Sequence, residues 1–198
     1  GHPFFEPIGS NARACVTCHQ PANAMSVSVE SIRERWRATQ GRDPIFAAID
    51  GSNNPSLPQD AASSHSLLLD RGLFRVGTPW PPRGITPEFT IELVRDPTGV
   101  NRDPLYGLTS ATPTVSVFRR PRVVANVKYV TSPDGLFNVK LGVLMDKDPD
   151  TGLPSSMNIM ADARAASLSV QAQGAYHDHQ GGQGPLPRAQ LERILAFE

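Results

Sequence analysis

The chain has 198 residues, and its 19 basic and 19 acidic side chains cancel, a balance that offers no footing for nucleic acid or an anionic membrane surface. Its length fits one domain, or one domain with long excursions, and no run of about eighteen apolar residues is present to cross a membrane. Hydrophobic residues make up 39%, and 19 prolines and 16 glycines imply much ordered irregular loop around a core that needs something more than side chains to fill it.

Residues 1–12 read as an extended arm with Pro3, Pro7 and Gly9. Next comes Cys15-Val16-Thr17-Cys18-His19, at the head of a short helix expected from about Ala12. Two thiols at this spacing, followed at once by an imidazole, are the attachment signature for one covalent heme c. Each thiol adds across one vinyl group of the porphyrin, and His19 faces the iron. Both cysteines of the chain lie in this motif. A zinc ribbon would need a second pair, and a thioredoxin-type dithiol would want a βαβ context.

Ser28 is placed to cap a helix running to about Gln40, with Val29, Ile32, Arg33 and Trp36 on one face. Asp43-Pro44 opens a short helix through Ile49. Ser63 or Ser64 caps a helix carrying Leu67, Leu68 and Leu69 and ended by Gly72. The middle reads as strands at Phe89–Val94, Thr114–Phe118, Arg122–Val130 and Gly135–Met145, giving a β-hairpin-rich insertion over 88–146. The segment Asp146–Gly152 reads as a hairpin turn rather than a calcium loop, since the distal glutamate is missing. Ser167 caps a helix with Leu168, Ala172, Ala175 and His179 on one face. After a Gly/Gln linker the last helix has an apolar stripe of Leu191, Ile194, Leu195 and Phe197, with no C-cap and no following partner, so a longer parent chain is expected. The whole reads as a single heme domain over 1–198, mainly α and cytochrome c-like, with long irregular loops and one or two inserted hairpins.

The sixth position on the iron separates an electron carrier from a ligand-binding or peroxide-reacting site. The candidates are His2, His65, His177, His179, Met25, Met145, Met157 and Met160. His179 leads, because its alanine-rich face lets a flat ring approach. His65, ahead of an apolar helix, is second. Arg119 and Arg120, with Arg122, are candidates for a heme propionate, since guanidinium binds carboxylates in a bidentate fashion. Trp36 and Trp80 read as packing residues.

Several stretches resemble the diheme cytochrome c peroxidase and MauG-like family. They are Pro7-Ile8-Gly9-Ser10-Asn11-Ala12-Arg13-Ala14-Cys15, His19-Gln20-Pro21, Pro113-Thr114-Val115 and Met160-Ala161-Asp162-Ala163-Arg164 leading to Leu168 and Gln171-Ala172. The resemblance covers most of the chain and implies the first heme domain of a two-heme protein. In that family the helix after the Asp-Gly-Arg-like turn ends on the distal side of the first heme, where the peroxidases keep a catalytic glutamate. Here that end reads Tyr176-His177-Asp178-His179-Gln180, so a histidine stands where an acid is expected. The family's second Cys-x-x-Cys-His is absent from these residues. Some relatives carry cysteines in turns like those at Asn53 and Val100, and this chain has none there.

The leading expectation is a c-type cytochrome domain that passes single electrons through a bis-histidine heme, with a redox protein or a second heme domain as its partner. The alternative is a peroxidase or oxidase reaction-heme domain, with His179, Asp178 or His65 near the peroxide. A third expectation is a heme module docking on a larger partner. Attachment of heme c takes place outside the bacterial cytoplasm, so a periplasmic or extracellular location is expected, with a signal removed before Gly1.

Overall fold

Short helices are what a chain this rich in proline and glycine can build. The computed structural model describes residues 1–82, 84, 86–127, 159–161, 165 and 167–198, and these fall into two compact units.

The unit spanning Val27–Pro121 holds helices α1 (Val29–Thr39) and α2 (Ser66–Arg71) and strands β1 (Phe74–Pro79) and β2 (Thr114–Arg119). Ser28 caps α1 by accepting from the Ser31 N–H at 3.1 Å, which satisfies a donor that the first turn leaves without an intrahelical partner. Asp43 does the same for the 3-10 turn Pro44–Phe46, accepting from the Ile45 N–H at 2.9 Å. A 3-10 turn over Ala62–His65 leads into α2, which stops at Gly72 in the left-handed region, φ 63°. The strands pair antiparallel, Phe74 opposite Arg119 and Pro79 opposite Thr114. Ile32, Ile45, Phe46, Leu68, Phe74 and Val100 are buried.

The other unit joins Gly1–Ser26 to Arg122–Glu198. Its helices are α3 (Leu168–Gln180), capped by Ser167, and α4 (Arg188–Phe197). They pack through Ala172, Tyr176, Leu186, Leu191 and Ile194. The N-terminal arm is part of this packing. Phe4 is fully buried, and its ring lies 4.6 Å from that of Phe197. The stripe on the last helix therefore has its partners upstream in the same chain, on α3 and on the arm.

Three expectations need correction. The fold is not mainly α and cytochrome c-like: 35% of the residues are helical, and the described residues hold four α-helices and 3-10 turns beside a two-stranded sheet. The physical reason is local. Left-handed residues at Gln40, Gly72 and Gly181 stop helices after a few turns, and proline-led 3-10 turns stand where longer helices were expected. Second, Phe89–Val94 forms no strand. Phe89 and Val94 are 63% and 88% exposed, because alternation alone makes a strand only when another edge is there to pair with it. Third, the partner of β2 is Phe74–Pro79, which precedes the 88–146 segment where the hairpins were expected. Within Arg122–Val130 the described residues 122–127 are coil and turn, and residues 128–130 lie outside the described residues, as do Gly135–Met145 and Asp146–Gly152. No helix among the described residues is long and apolar enough to cross a membrane.

Ile194 is 2% exposed at the α3–α4 contact. Ile194→Ala is expected to destabilise the protein by about 2–4 kcal/mol through lost burial and the cavity left behind, read as a lower urea midpoint.

Candidate functional site

The attachment motif folds as one turn of 3-10 helix over Cys15–Thr17. The His19 N–H donates to the Cys15 carbonyl at 3.0 Å, so the imidazole follows directly on the turn that carries the thiols. The Thr17 hydroxyl accepts from the Ala14 N–H at 3.0 Å, which holds the turn from its own first residue. Both cysteines are free thiols and half-buried.

The chain then makes a second 3-10 turn, Pro21–Asn23, and reverses through two successive left-handed residues, Ala24 at φ 53° and Met25 at φ 58°. Neither is glycine, so this conformation is strained. It brings the strand-like bridge Gln20–Ser26 together and turns the Met25 carbonyl onto the His19 ring, 3.1 Å from Nδ1. A carbonyl can only accept, so Nδ1 carries the proton, and in the neutral ring Nε2 keeps its lone pair. Burial pushes the His19 pKa below its ordinary 6.5, and His179 lowers it further, while the Met25 and Arg122 main-chain groups act in the opposite sense. A neutral imidazole whose Nδ1 is tied to a backbone carbonyl is the form in which histidine ligates a metal.

His179 lies in the last turn of α3, half-buried, and near enough to His19 for its charge to disfavour protonation there. The buried stripe of α3 is Ser169, Ala172, Tyr176 and Gln180, one step round from the expected Leu168, Ala172, Ala175 and His179. His179 thus stands at the margin of the buried face, and Gln180 is the residue that reaches the motif, its amide 3.5 Å from Cys15 Sγ. Gln180 was missed from sequence, where a glutamine near a helix end carries no chemical signal of its own.

The Cys15 thiol is pushed up from 9.0 to about 11, first by burial and then by the nearby Glu198 charge, with the Gln180 amide lowering it. That is the opposite of a redox dithiol, whose attacking cysteine is held below its ordinary value. Glu198 is itself pushed up from 4.5 to about 7 by burial. Gln180 Oε1 and Glu198 Oε2 are buried with no hydrogen-bond partner among the described residues. Two thiols outside any disulfide, a neutral imidazole and a second imidazole within charge reach fit the protein groups that a covalent heme needs. Among the described residues no group of three or more His, Cys, Asp or Glu stands together. A porphyrin supplies four nitrogens to its iron, so one or two protein ligands complete the set.

The remaining candidates have the following partners. His65 is fully buried in the Val27–Pro121 unit, with Nδ1 2.8 Å from the Gly51 carbonyl and Nε2 3.0 Å from that of Gln59. In this arrangement neither ring nitrogen is open to a metal. Arg119 and Arg120 also belong to that unit, and Arg120 donates to the Arg71 carbonyl at the end of α2, 2.8 Å. Arg122 belongs to the motif's unit and donates to the Met160 carbonyl at 2.7 Å. His177 is exposed, with Gln173 and the Gly182 carbonyl on its two nitrogens. His2 Nδ1 accepts from the Phe4 N–H, and its ring stacks on Phe197. Met25 serves the site through its carbonyl. Met145 and Met157 lie outside the described residues. Trp36 packs on Phe46 and Trp80 on Phe89.

No family model, no curated protein and no solved structure matches the chain.

Two outcomes are expected of the chain without heme. Raising Cys15 by two units lowers its thiolate fraction about 100-fold, so its alkylation by iodoacetamide in the native state should lag that in urea by this order, read by mass spectrometry. Glu198 has a folded pKa above its unfolded one, so its contribution to stability is full below about pH 4.5 and lost as the pH rises through about 7. Glu198→Gln should flatten that decline in urea midpoints across the same window.

Proposed function

We propose that this chain is a c-type cytochrome domain that carries one covalent heme and transfers single electrons. The observation that carries the reading is the His19 imidazole, half-buried and pinned through Nδ1 to Met25, directly after two thiols outside any disulfide and within charge reach of His179.

Cys15 and Cys18 would anchor the ring through thioethers, and a high thiol pKa at Cys15 keeps it from side reactions as a thiolate. His19, through Nε2, and His179 would hold the iron. Heme supplies an iron that gains and loses one electron. The chain's part is to hold both imidazoles in place, so that little nuclear rearrangement accompanies the electron. Burial sets the dielectric around the site and with it the potential. The Met25 hydrogen bond raises the basicity of His19 as a donor. The reading includes kinship with the first heme domain of the diheme peroxidases, a redox protein or second heme domain as partner, and a location outside the cytoplasm.

One observation favours a second reading, a peroxide-reducing site. The Glu198 carboxyl, pushed up to about 7, is poised for general acid–base work near neutral pH and lies within charge reach of Cys15.

The deciding experiment is the absorption and EPR spectrum of the chain matured with heme c. A low-spin six-coordinate ferric signal is expected, turning high-spin in His179→Ala, and Cys15→Ser with Cys18→Ser should lose covalent heme. A high-spin five-coordinate wild type would sink the electron-carrier reading. Absence of any spectral change with hydrogen peroxide, before and after reduction, would sink the peroxidase one.

A further inference from the structure

The last carbonyls of a helix have no intrahelical partner and must find one elsewhere. For α3 they find it in the residues just ahead of Cys15. The Asn11 amide donates to the His179 carbonyl at 2.7 Å, and Arg13 Nη1 reaches the same oxygen at 3.5 Å. The Asn11 N–H donates to the Gln180 carbonyl at 3.3 Å, and the Ser10 hydroxyl to that of Gly181 at 2.8 Å. Asn11 Oδ1 in turn accepts from the Arg13 N–H at 3.2 Å, so one side chain both shapes its own turn and grips the helix. A Cβ at Gly9 would collide with the Gln180 backbone carbonyl, so only glycine permits the approach. Arg13 is 2% exposed, and a buried cation at a helix C-terminus complements the negative end of its dipole.

We propose that Gly9, Ser10, Asn11 and Arg13 form a clasp that positions His179, keeping it on the iron by fastening the end of α3 to the attachment turn. The proposal rests on the bis-histidine reading above. The clasp runs from the His179 carbonyl to Cys15 through residues 11–15 of the chain, alongside the Gln180 amide contact to Cys15 Sγ at 3.5 Å. It removes the freedom through which the distal imidazole would swing away. Asn11, Arg13 and Ser10 are positioning residues, since they act through the α3 main chain.

The experiment uses the heme-loaded chain and reads carbon monoxide binding to the ferrous form, a reaction open only when an axial ligand leaves. Wild type is expected to bind the gas only weakly and His179→Ala to bind it fully. Asn11→Asp, which keeps the acceptor and removes the donor, and Asn11→Ala should bind it with an apparent affinity on the order of tenfold above wild type, the scale of one buried hydrogen bond. Ile194→Ala weakens the core without touching the clasp and is expected to bind it as weakly as wild type, which separates positioning from general destabilisation. If His179→Ala binds it fully while Asn11→Asp, Asn11→Ala and Gly9→Ala bind it as weakly as wild type, the clasp is overturned and the ligand stands. If His179→Ala binds it as weakly as wild type, the ligand assignment is wrong and the clasp falls with it. Should the Asn11 variants fail to accumulate, Ser10→Ala is read against the same two outcomes.

Discussion

A half-buried imidazole has one proton to place, and the Met25 carbonyl decides which nitrogen of His19 keeps it. That hydrogen bond depends on a backbone that bends through two left-handed non-glycine residues, Ala24 and Met25, at a cost of about 1–2 kcal/mol for each. The bridge between Gln20 and Ser26 holds the bend. Backbone strain of this kind, offset by surrounding hydrogen bonds, is the pattern of a turn that positions a side chain. The thiols, the helix end and the acidic C-terminal side chain take their places around this fixed ring.

The motif's unit spends much of its binding capacity on polar contact. The clasp beneath α3 satisfies carbonyls that a longer helix would satisfy internally, while Gln180 and Glu198 bring buried acceptors to Cys15 without partners of their own among the described residues. Buried polar atoms left this way cost free energy. In the Val27–Pro121 unit the polar groups are instead closed on one another. His65 is held by two carbonyls and flanked by the Trp36 and Phe46 rings at 5.1 and 5.6 Å. Asn54 donates to Asp103 at 3.2 Å, a link between the turns near Asn53 and Val100, where no cysteines are present.

The helix caps were legible because capping is short-range: Ser28, Asp43, Gly72 and Ser167 each act within three residues of the end they define. β2 was legible from its alternation, but not its partner, since Phe74–Pro79 contains a glycine and a proline, which weaken the pattern of a strand. The same reasoning misjudged Phe89–Val94, an alternating segment left without an edge. The rotation of the α3 face by one step, from Ala175 and His179 to Tyr176 and Gln180, was set by packing against Leu186, Leu191 and Ile194, and the weakly patterned helix did not encode it.

By itself the sequence carried the motif on which the proposed attachment rests, because covalent spacing is a local property: two thiols and an imidazole within five residues need no fold to be recognised. It also set His179 at the end of a capped helix. The tertiary structure alone decided which proton His19 keeps, brought Gln180 and Glu198 to Cys15, closed His65 between two carbonyls, and joined residues 9–13 to residues 179–181. Those are contacts between segments distant in sequence. Hydrogen bonds and burial choose among them only after the chain has brought the groups together.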